Sequence, residues 1–278
     1  MKTRLTILCE NSVGVPFGVI GEHGFACHVA TDKGSYLFDT GQGFGILQNA
    51  MVLGCDLGAI DAVMISHGHY DHTGGLPAVL KRRGRVPVYG HPEMFVERFI
   101  DFEGRRRDIG IPFRRSWLES LGAEFRLGTE MTAVGPGVYL TGEIPRKTSF
   151  EKGDPHMSAR TADGRTLHPD PILDDLSMVV ESDKGLILVL GCAHAGMVNI
   201  IEYVMAQTGR DRIHAVIGGT HLGFSSDAKF EETIQAIDRY HIERVGVSHC
   251  TGLAKASLLH ARLKERFFFG CVGSVLEG

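Results

Sequence analysis

Five apolar segments of this sequence, each typical of a buried strand, lead into a histidine or an aspartate. The residues at these ends are Asp39, His67, His194, His221 and His249. In α/β sheets the carboxyl ends of the strands border the crevice in which ligands bind. Glycines beside most of these residues leave room for the close approach of other groups. We therefore predict that five side chains distant in the chain meet at one site.

The second of these segments leads into a cluster of potential metal ligands. Six consecutive positions contain His67, His69, Asp71 and His72. His67 and His69 can be directed at one point, and Asp71 and His72 can reach an adjacent point. Neutral imidazoles and carboxylates suit first-row cations, so we predict one or two divalent metal ions, with zinc preferred and iron or manganese compatible. The alternative is a polar surface loop that happens to be rich in histidine.

Composition and charge limit the partners that this protein is expected to have. The 278 residues carry a formal net charge of -4, which argues against a general nucleic-acid binder. No stretch reaches the roughly 18 to 20 apolar residues of a membrane span. The six cysteines form no C-x-x-C pair, as expected for reduced thiols. We expect a cytoplasmic protein with a small-molecule substrate, and nothing in the composition indicates its oligomeric state.

The order of the predicted elements indicates an α/β protein with two similar halves. Two hairpins turn at the same tripeptide, Asp-Lys-Gly, at 32–34 and 183–185, and strands and helices alternate after each. This order favours two mixed sheets packed together with helices on the outer faces, a four-layer αβ/βα sandwich in one domain of residues 1–278. Residues 92–171 show little periodicity beyond amphipathic segments at 93–103 and 116–121. We expect this stretch to be an insertion or lid over the site, or else an ordinary surface excursion.

The motifs His67-x-His69-x-Asp71-His72 and Phe38-Asp39-Thr40-Gly41, with isolated histidines at 194 and 249, resemble the metallo-β-lactamase-fold superfamily over nearly the whole chain. The resemblance implies the four-layer fold of that type. It also implies two metal sites. The first would be formed by His67, His69 and His194, and the second by Asp71, His72 and His249. Asp39 resembles the family's supporting carboxylate, which steadies the ligand loop and orients an imidazole.

The segments 191–196, 218–222 and 248–252 resemble one branch of that superfamily, the proteins similar to the methanopterin-pathway dihydropteroate synthase. One departure from the superfamily pattern concerns the aspartate that bridges both metals in many members. The strand that should carry it ends in Gly218-Gly219-Thr220-His221, and the next carboxylate is Asp227. We expect His221 within the active site, as a metal ligand or facing the substrate. Cys192 and Cys250 lie next to ligand histidines, so they could support or bind a metal, although small buried thiols are the commoner explanation.

Three functions fit these expectations. The first is a metal-dependent hydrolase of an ester, lactone or phosphoester-type small molecule, in which Asp71 orients the water and His221 donates a proton. The second is a transferase that couples a pterin diphosphate to an aryl amine phosphate, with Arg106 and Arg146 among the residues that would bind phosphates. The third is a metal-dependent ligand-binding module without turnover.

Overall fold

Two seven-stranded mixed sheets form the centre of the molecule in a computed structural model that describes residues 1–16 and 18–278. The first sheet has the strand order β18-β1-β2-β3-β4-β5-β8. Its strands are β1 (Thr3–Cys9), β2 (Ala26–Thr31), β3 (Gly34–Phe38), β4 (Ala62–Met64), β5 (Val86–Gly90), β8 (Ala123–Leu127) and β18 (Val275–Glu277). Neighbours are antiparallel from β18 to β3 and parallel from β3 to β8. The carboxyl ends of β3 and β4 therefore lie side by side.

The second sheet repeats this plan with the order β17-β16-β15-β14-β13-β10-β9. Its strands are β9 (Thr132–Gly135), β10 (Val138–Leu140), β13 (Ser177–Ser182), β14 (Gly185–Leu190), β15 (Ile213–Gly219), β16 (Arg244–Ser248) and β17 (Phe267–Phe269). Neighbours are antiparallel from β9 to β14 and parallel from β14 to β17. Each Asp-Lys-Gly hairpin thus joins the antiparallel part of its sheet to the parallel part.

Helices cover the outer face of each sheet. They are α1 (Ile46–Val52), α2 (Tyr70–Thr73), α3 (Leu76–Arg83), α4 (Arg115–Ser120), α5 (Met197–Thr208), α6 (Asp227–Arg239) and α7 (Leu253–Leu263). One apolar layer, which includes Phe38 and Val189, joins the inner faces of the two sheets. Leu76 of α3 and Ile200 of α5 belong to separate outer layers, one on each sheet. The predicted four-layer sandwich is confirmed. Among the described residues, the helices are too short or too polar to cross a membrane.

The segment 92–171 contributes to three sheets. Its strands β8, β9 and β10 belong to the two central sheets, whereas four others form a separate sheet with the order β12-β11-β6-β7. These are β6 (Arg98–Phe102), β7 (Arg105–Asp108), β11 (Met157–Arg160) and β12 (Leu167–Pro169). The amphipathic stretch 93–103 is a short 3-10 turn followed by β6, whereas 116–121 coincides with α4. The small sheet lies beside the histidine cluster, because Tyr70 donates its N–H to the Ile109 carbonyl (3.0 Å).

Candidate metal centre

Hydrogen bonds hold the loop that carries the histidine cluster. Ser66, which follows β4, donates its N–H to Oδ1 of Asp39 and its hydroxyl to Oδ2, both at 2.7 Å. Gly68 donates its N–H to Oδ2 of Asp174 (2.8 Å). A side chain on Gly68 would clash, since an added Cβ would lie 2.0 Å from the Met94 carbonyl oxygen. The loop between His67 and His69 is therefore fixed on both sides by buried carboxylates.

Four residues at the strand ends adopt a left-handed backbone although they carry side chains. The φ angles are 57° at Asp39, 55° at Ala193, 53° at His221 and 52° at His249. Outside glycine this conformation costs roughly 1–2 kcal/mol per residue. It turns the chain sharply after β3, β14, β15 and β16, and these turns direct the side chains of this edge inwards.

The first predicted ligand set lies around a point where imidazole nitrogens converge. Nε2 of His67 is 2.9 Å from Nδ1 of His69, and the His194 ring centroid is 4.9 Å and 5.2 Å from those of His67 and His69. Nitrogen ligands of a tetrahedral zinc ion, with bonds of about 2.0–2.1 Å, lie roughly 3.3 Å apart. Nε2 of His69 and Nε2 of His194 are buried without a hydrogen-bond partner among the described residues. Three converging imidazoles, two of which have an unpartnered buried nitrogen, fit a metal ion.

The second predicted set lies next to the first. Oδ2 of Asp71 is 3.1 Å from Nε2 of His249 and 4.0 Å from Nε2 of His72. The rings of His67 and His72 have centroids 4.2 Å apart, so the two sets are adjacent. The second nitrogen of His249, Nδ1, is 3.0 Å from Oδ1 of Asn11. Such a contact fixes the orientation of the imidazole.

Asp39 contacts His72 as well as Ser66. Its Oδ2 lies 2.7 Å from Nδ1 of His72, and both side chains are fully buried. This contact leaves Nε2 of His72 directed towards the centre. The resemblance assigned Asp39 the role of orienting an imidazole, and this distance identifies His72 as the imidazole that it contacts.

The structure adds two side chains to the predicted ligand sets. His23 belongs to neither predicted set, yet its Nε2 lies 3.2 Å from Oδ2 of Asp71. Cys192 is buried as expected, but its Sγ is 3.2 Å from Nε2 of His72 rather than in an apolar core. The sequence signal for Cys192 is its position beside a strand end, in the segment 191–196. His23 lies in a loop and has no such signal.

Burial and neighbouring charges divide the histidines into two protonation classes. Burial lowers the pKa of His67 and His194 well below the usual value and that of His69 to about 3. Burial also disfavours the charged form of His72, but Asp39 and Asp71 outweigh it and raise its pKa to about 9. The first set is thus neutral and able to accept a cation without losing protons.

Buried carboxylates outside the two sets tie the ligand loops to the small sheet. Arg98 of β6 is 1% exposed and donates to Asp170 (2.8 Å) and to both oxygens of Asp174 (2.7 and 3.0 Å). Oδ2 of Asp175 accepts the N–H of Ala195 (2.8 Å), next to His194. Burial raises the pKa of Asp175 to about 6.

His221 lies beside the first set, with its ring centroid 4.5 Å from that of His194. Its Nε2 is 3.9 Å from Oδ2 of Asp154, and neither ring nitrogen has a hydrogen-bond partner among the described residues. Burial opposes the charged form of His221, but Asp154 and Cys250 outweigh it and raise the pKa to about 9. This imidazole therefore holds a proton at neutral pH.

A cavity of about 900 Å³ opens beside His221. Its wall is aromatic and carries charges of both signs, from Phe102, Phe150, Phe224, Lys152, Lys229, Asp101, Glu103 and Asp154. Part of this wall comes from the small sheet and part from the segment that follows β15. The phenylalanines offer contacts to an apolar ring, and the two lysines offer positive charge to an anionic group.

The two predicted phosphate-binding arginines have other contacts. Arg106 is exposed and forms a two-point ion pair with Asp101 (2.9 and 2.7 Å). Arg146 donates to the carbonyl oxygens of Pro171 and Ile172. Their role towards a substrate stays a prediction.

The sandwich and its two adjacent ligand sets define the class of an α/β protein with a centre for divalent metal. Residues 24–239 match the metallo-beta-lactamase superfamily, and the chain belongs to that superfamily. The predicted resemblance is thereby confirmed.

Individual relatives match nearly the full length of the chain. It is 28% identical over 273 residues to the 7,8-dihydropterin-6-methyl-4-(beta-D-ribofuranosyl)-aminobenzene-5'-phosphate synthase of Methanocaldococcus jannaschii, a match that covers 95% of this chain and 92% of the synthase. An uncharacterised protein of the same organism is 27% identical over 280 residues, with 98% and 99% covered. Among solved structures, a metal-dependent hydrolase of the beta-lactamase superfamily aligns with a TM-score of 0.84 at 28% identity, covering 99% of each chain.

Proposed function

We propose that this protein is a metal-dependent hydrolase of a small phosphoester, ester or lactone that carries an apolar ring. The observation that carries the proposal is the convergence of His67, His69 and His194 beside Asp71, His72 and His249. His221, which lies next to His194, belongs to the wall of the neighbouring cavity. The similarity to a solved metal-dependent hydrolase over 99% of both chains supports it. The donor set favours zinc, with iron and manganese as alternatives.

The roles of the residues follow from their charge and position. When bound, a divalent ion supplies a Lewis acid that lowers the pKa of water to about 7 and polarises a phosphoryl or carbonyl oxygen. Burial opposes the charged form of Asp71, but the neighbouring imidazoles of His72, His23 and His249 hold its pKa well below the usual value. The carboxylate of Asp71 therefore accepts a hydrogen bond from the attacking water. His221 donates its proton to the leaving oxygen as the bond to that oxygen breaks. Lys152 and Lys229 in the cavity wall bind the anionic group of the substrate.

The four strands of the small sheet form the lid of this site in our proposal. Phe102 of β6 belongs to the cavity wall, and Arg98 of the same strand joins the lid to the ligand loop. Within the predicted insertion at 92–171, the lid therefore consists of the strands near its two ends, β6 and β7 and then β11 and β12. The strands between them, β8, β9 and β10, belong to the central sheets.

The test compares wild-type protein with His67→Ala on a panel of aryl phosphomonoesters, phosphodiesters, esters and lactones, after loading with zinc. We expect His67→Ala to lose bound metal and to lower turnover by more than about 100-fold. The control variant is His168→Ala, because His168 is an exposed residue of β12. This variant should keep both its bound metal and its turnover. Equal turnover by wild type and His67→Ala on every substrate would refute the hydrolase.

A transferase is the second candidate, and the Methanocaldococcus jannaschii synthase, 28% identical over 95% of this chain, favours it. In this reaction the amine nitrogen of an aryl amine phosphate displaces diphosphate from a pterin diphosphate, and the amine releases a proton. Incubation with a pterin diphosphate separates the two candidates: coupled product forms only with the amine in a transferase, and free diphosphate forms without it in a hydrolase. Tight binding of metal and both compounds without product would indicate a binding module.

A further inference from the structure

We propose that the thiolate of Cys192 is a ligand shared by the two metal positions, in place of the carboxylate that bridges two metals in many relatives. The inference rests on the metal-dependent function proposed above. It assigns a definite role to a residue of the segment 191–196 for which the sequence alone leaves a buried thiol and a metal-binding residue as alternatives.

The sulfur of Cys192 lies within reach of both ligand sets. Sγ and one nitrogen each of His67 and His194 all lie within 4.8 Å of one another. The same sulfur forms an equally close group with His72 and His249. Its shortest contact is the 3.2 Å to Nε2 of His72. A ligand that belongs to both groups occupies the position of a bridge.

Carboxylates from β15 do not reach this position among the described residues. Thr220, at the end of β15, bonds through Oγ1 to Oγ1 of Thr251 (2.8 Å). The next carboxylate, Asp227, is 99% exposed at its side chain and pairs with Lys255 (2.9 Å). Asp39 and Asp175 are close by but already accept hydrogen bonds from Ser66 and Ala195. Asp71, the remaining carboxylate of the centre, belongs to the second set through its 3.1 Å contact with Nε2 of His249. We therefore assign the bridging position to the Cys192 thiolate.

The neighbouring thiol of Cys250 is engaged differently. Its Sγ accepts the N–H of His221 (3.2 Å) and donates to the carbonyl oxygen of Cys192 (3.5 Å). These are contacts with the backbone, whereas Cys192 directs its sulfur at an imidazole. Gly219 allows this packing, since an added Cβ would lie 2.7 Å from Sγ of Cys250 and 3.2 Å from Cα of Cys192. Cys250 forms a close group with Cys192 and His221, whereas Cys192 also forms close groups with histidines of both ligand sets. Of the two thiols, Cys192 is therefore the one placed between the two metal positions.

A thiolate in this position has chemical consequences. On metal binding the S–H bond breaks, two metal–sulfur bonds form, and the proton passes to the buffer. Thiolate is a soft ligand that favours zinc and cobalt and disfavours magnesium and manganese. It also keeps the two positions coupled where a carboxylate is missing.

Cobalt substitution tests the proposal by spectroscopy rather than activity. Wild-type protein loaded with two equivalents of Co²⁺ should show a sulfur-to-cobalt charge-transfer band in the near ultraviolet. Cys192→Ser should lose this band and bind less than two equivalents of metal, while the matched variants Cys250→Ser and Cys271→Ser should keep the band. X-ray absorption of the wild-type zinc protein should show one sulfur neighbour per zinc, a measurement that needs no variant.

The outcomes separate this proposal from the function on which it rests. Two bound Co²⁺ ions without the band, or a band that persists in Cys192→Ser and vanishes in Cys250→Ser, would overturn the shared thiolate and leave the metal-dependent function intact. Wild-type protein that binds no divalent metal would overturn both. Circular dichroism tests whether Cys192→Ser is folded. If the variant is unfolded, the X-ray absorption spectrum of the wild-type zinc protein tests the thiolate ligand instead.

Discussion

Oδ2 of Asp39 lies 2.7 Å from Nδ1 of His72, and the same carboxylate accepts two hydrogen bonds from Ser66. One buried side chain thereby positions both the residue that precedes the ligand loop and an imidazole at the far end of that loop. The first sheet supplies this carboxylate from β3, next to the strand that carries the loop, because β3 and β4 are parallel neighbours.

Replacement of Asp39 by asparagine should weaken metal binding while leaving the fold in place. The amide keeps the shape but removes the charge that favours a metal-directed Nε2 on His72, and loss of such a supporting partner typically costs 10–100-fold in metal affinity. Competition with a chelator measures the change. Asp61→Asn is the control, since Asp61 accepts the N–H of Ser35 at the opposite end of the same strands. Equal affinities in both variants would contradict a supporting role for Asp39.

Replacement of Arg98 by methionine should destabilise the protein by about 3–5 kcal/mol, because it leaves Asp170 and Asp174 buried without their cation. Urea denaturation of the metal-free protein measures the change in free energy of unfolding. Arg106→Met is the control: its ion pair with Asp101 is exposed and screened by solvent, so its loss should change the free energy of unfolding far less. Similar losses in the free energy of unfolding of Arg98→Met and Arg106→Met would show that the buried ion pairs of Arg98 contribute little to stability.

Replacement of Asp154 by asparagine should move the alkaline limb of the activity profile to lower pH. Burial opposes the charged form of His221, but Asp154 helps to raise its pKa to about 9, so a proton donor at this position fails in the wild type as the pH rises through about 9. Removing the negative charge lowers that pKa, and activity should then fall at lower pH. The pH dependence of kcat/KM on the best substrate tests this, with Asp163→Asn, in an exposed turn, as control. If the alkaline limb of Asp154→Asn lies at the same pH as that of the wild type, a group other than His221 controls the loss of activity.

Replacement of Asp175 by asparagine should remove a pH dependence of stability from the metal-free protein. Burial raises the pKa of Asp175 from 3.8 to about 6, so between these values the folded state holds more protons than the unfolded state. Stability therefore falls as the pH rises across this window, by about 3 kcal/mol in total. The asparagine side chain cannot ionise, so the variant lacks this loss. Between about pH 4 and 7 its free energy of unfolding should rise by about 3 kcal/mol relative to that of the wild type. Urea denaturation at pH 4 and pH 7 measures this change. The same difference in free energy of unfolding between variant and wild type at both pH values would contradict the raised pKa of Asp175.

Local patterns in the sequence sufficed to predict the fold. The hairpins at 32–34 and 183–185 and the strand that ends at Met64 depend on turn chemistry and apolar runs, which neighbouring residues determine. The amphipathic pattern at 93–103 did not predict the small sheet, because the partners of β6, which are β7 and β11, come from a stretch with no clear pattern. Tertiary pairing determines the structure there.

The site could be predicted where ligands follow strands and not where they come from loops. The structure brings His194 and His249 to the cluster because parallel strands align their carboxyl ends. His23 and Asn11 reach Asp71 and His249 from the connection between β1 and β2, whose path depends on packing rather than on sequence spacing. The contact of Cys192 with His72 joins residues 120 positions apart and has no signature in either segment.

The left-handed residues at the strand ends bear on how this protein can be engineered. At Asp39, Ala193, His221 and His249 the backbone would be most relaxed with glycine, so a search for stabilising substitutions would select these positions first. Three of the four carry side chains of the candidate site, and the fourth precedes His194. Substitutions that relax the backbone would therefore remove or displace side chains of the candidate site, so a more stable variant of this protein has to gain its stability at other positions.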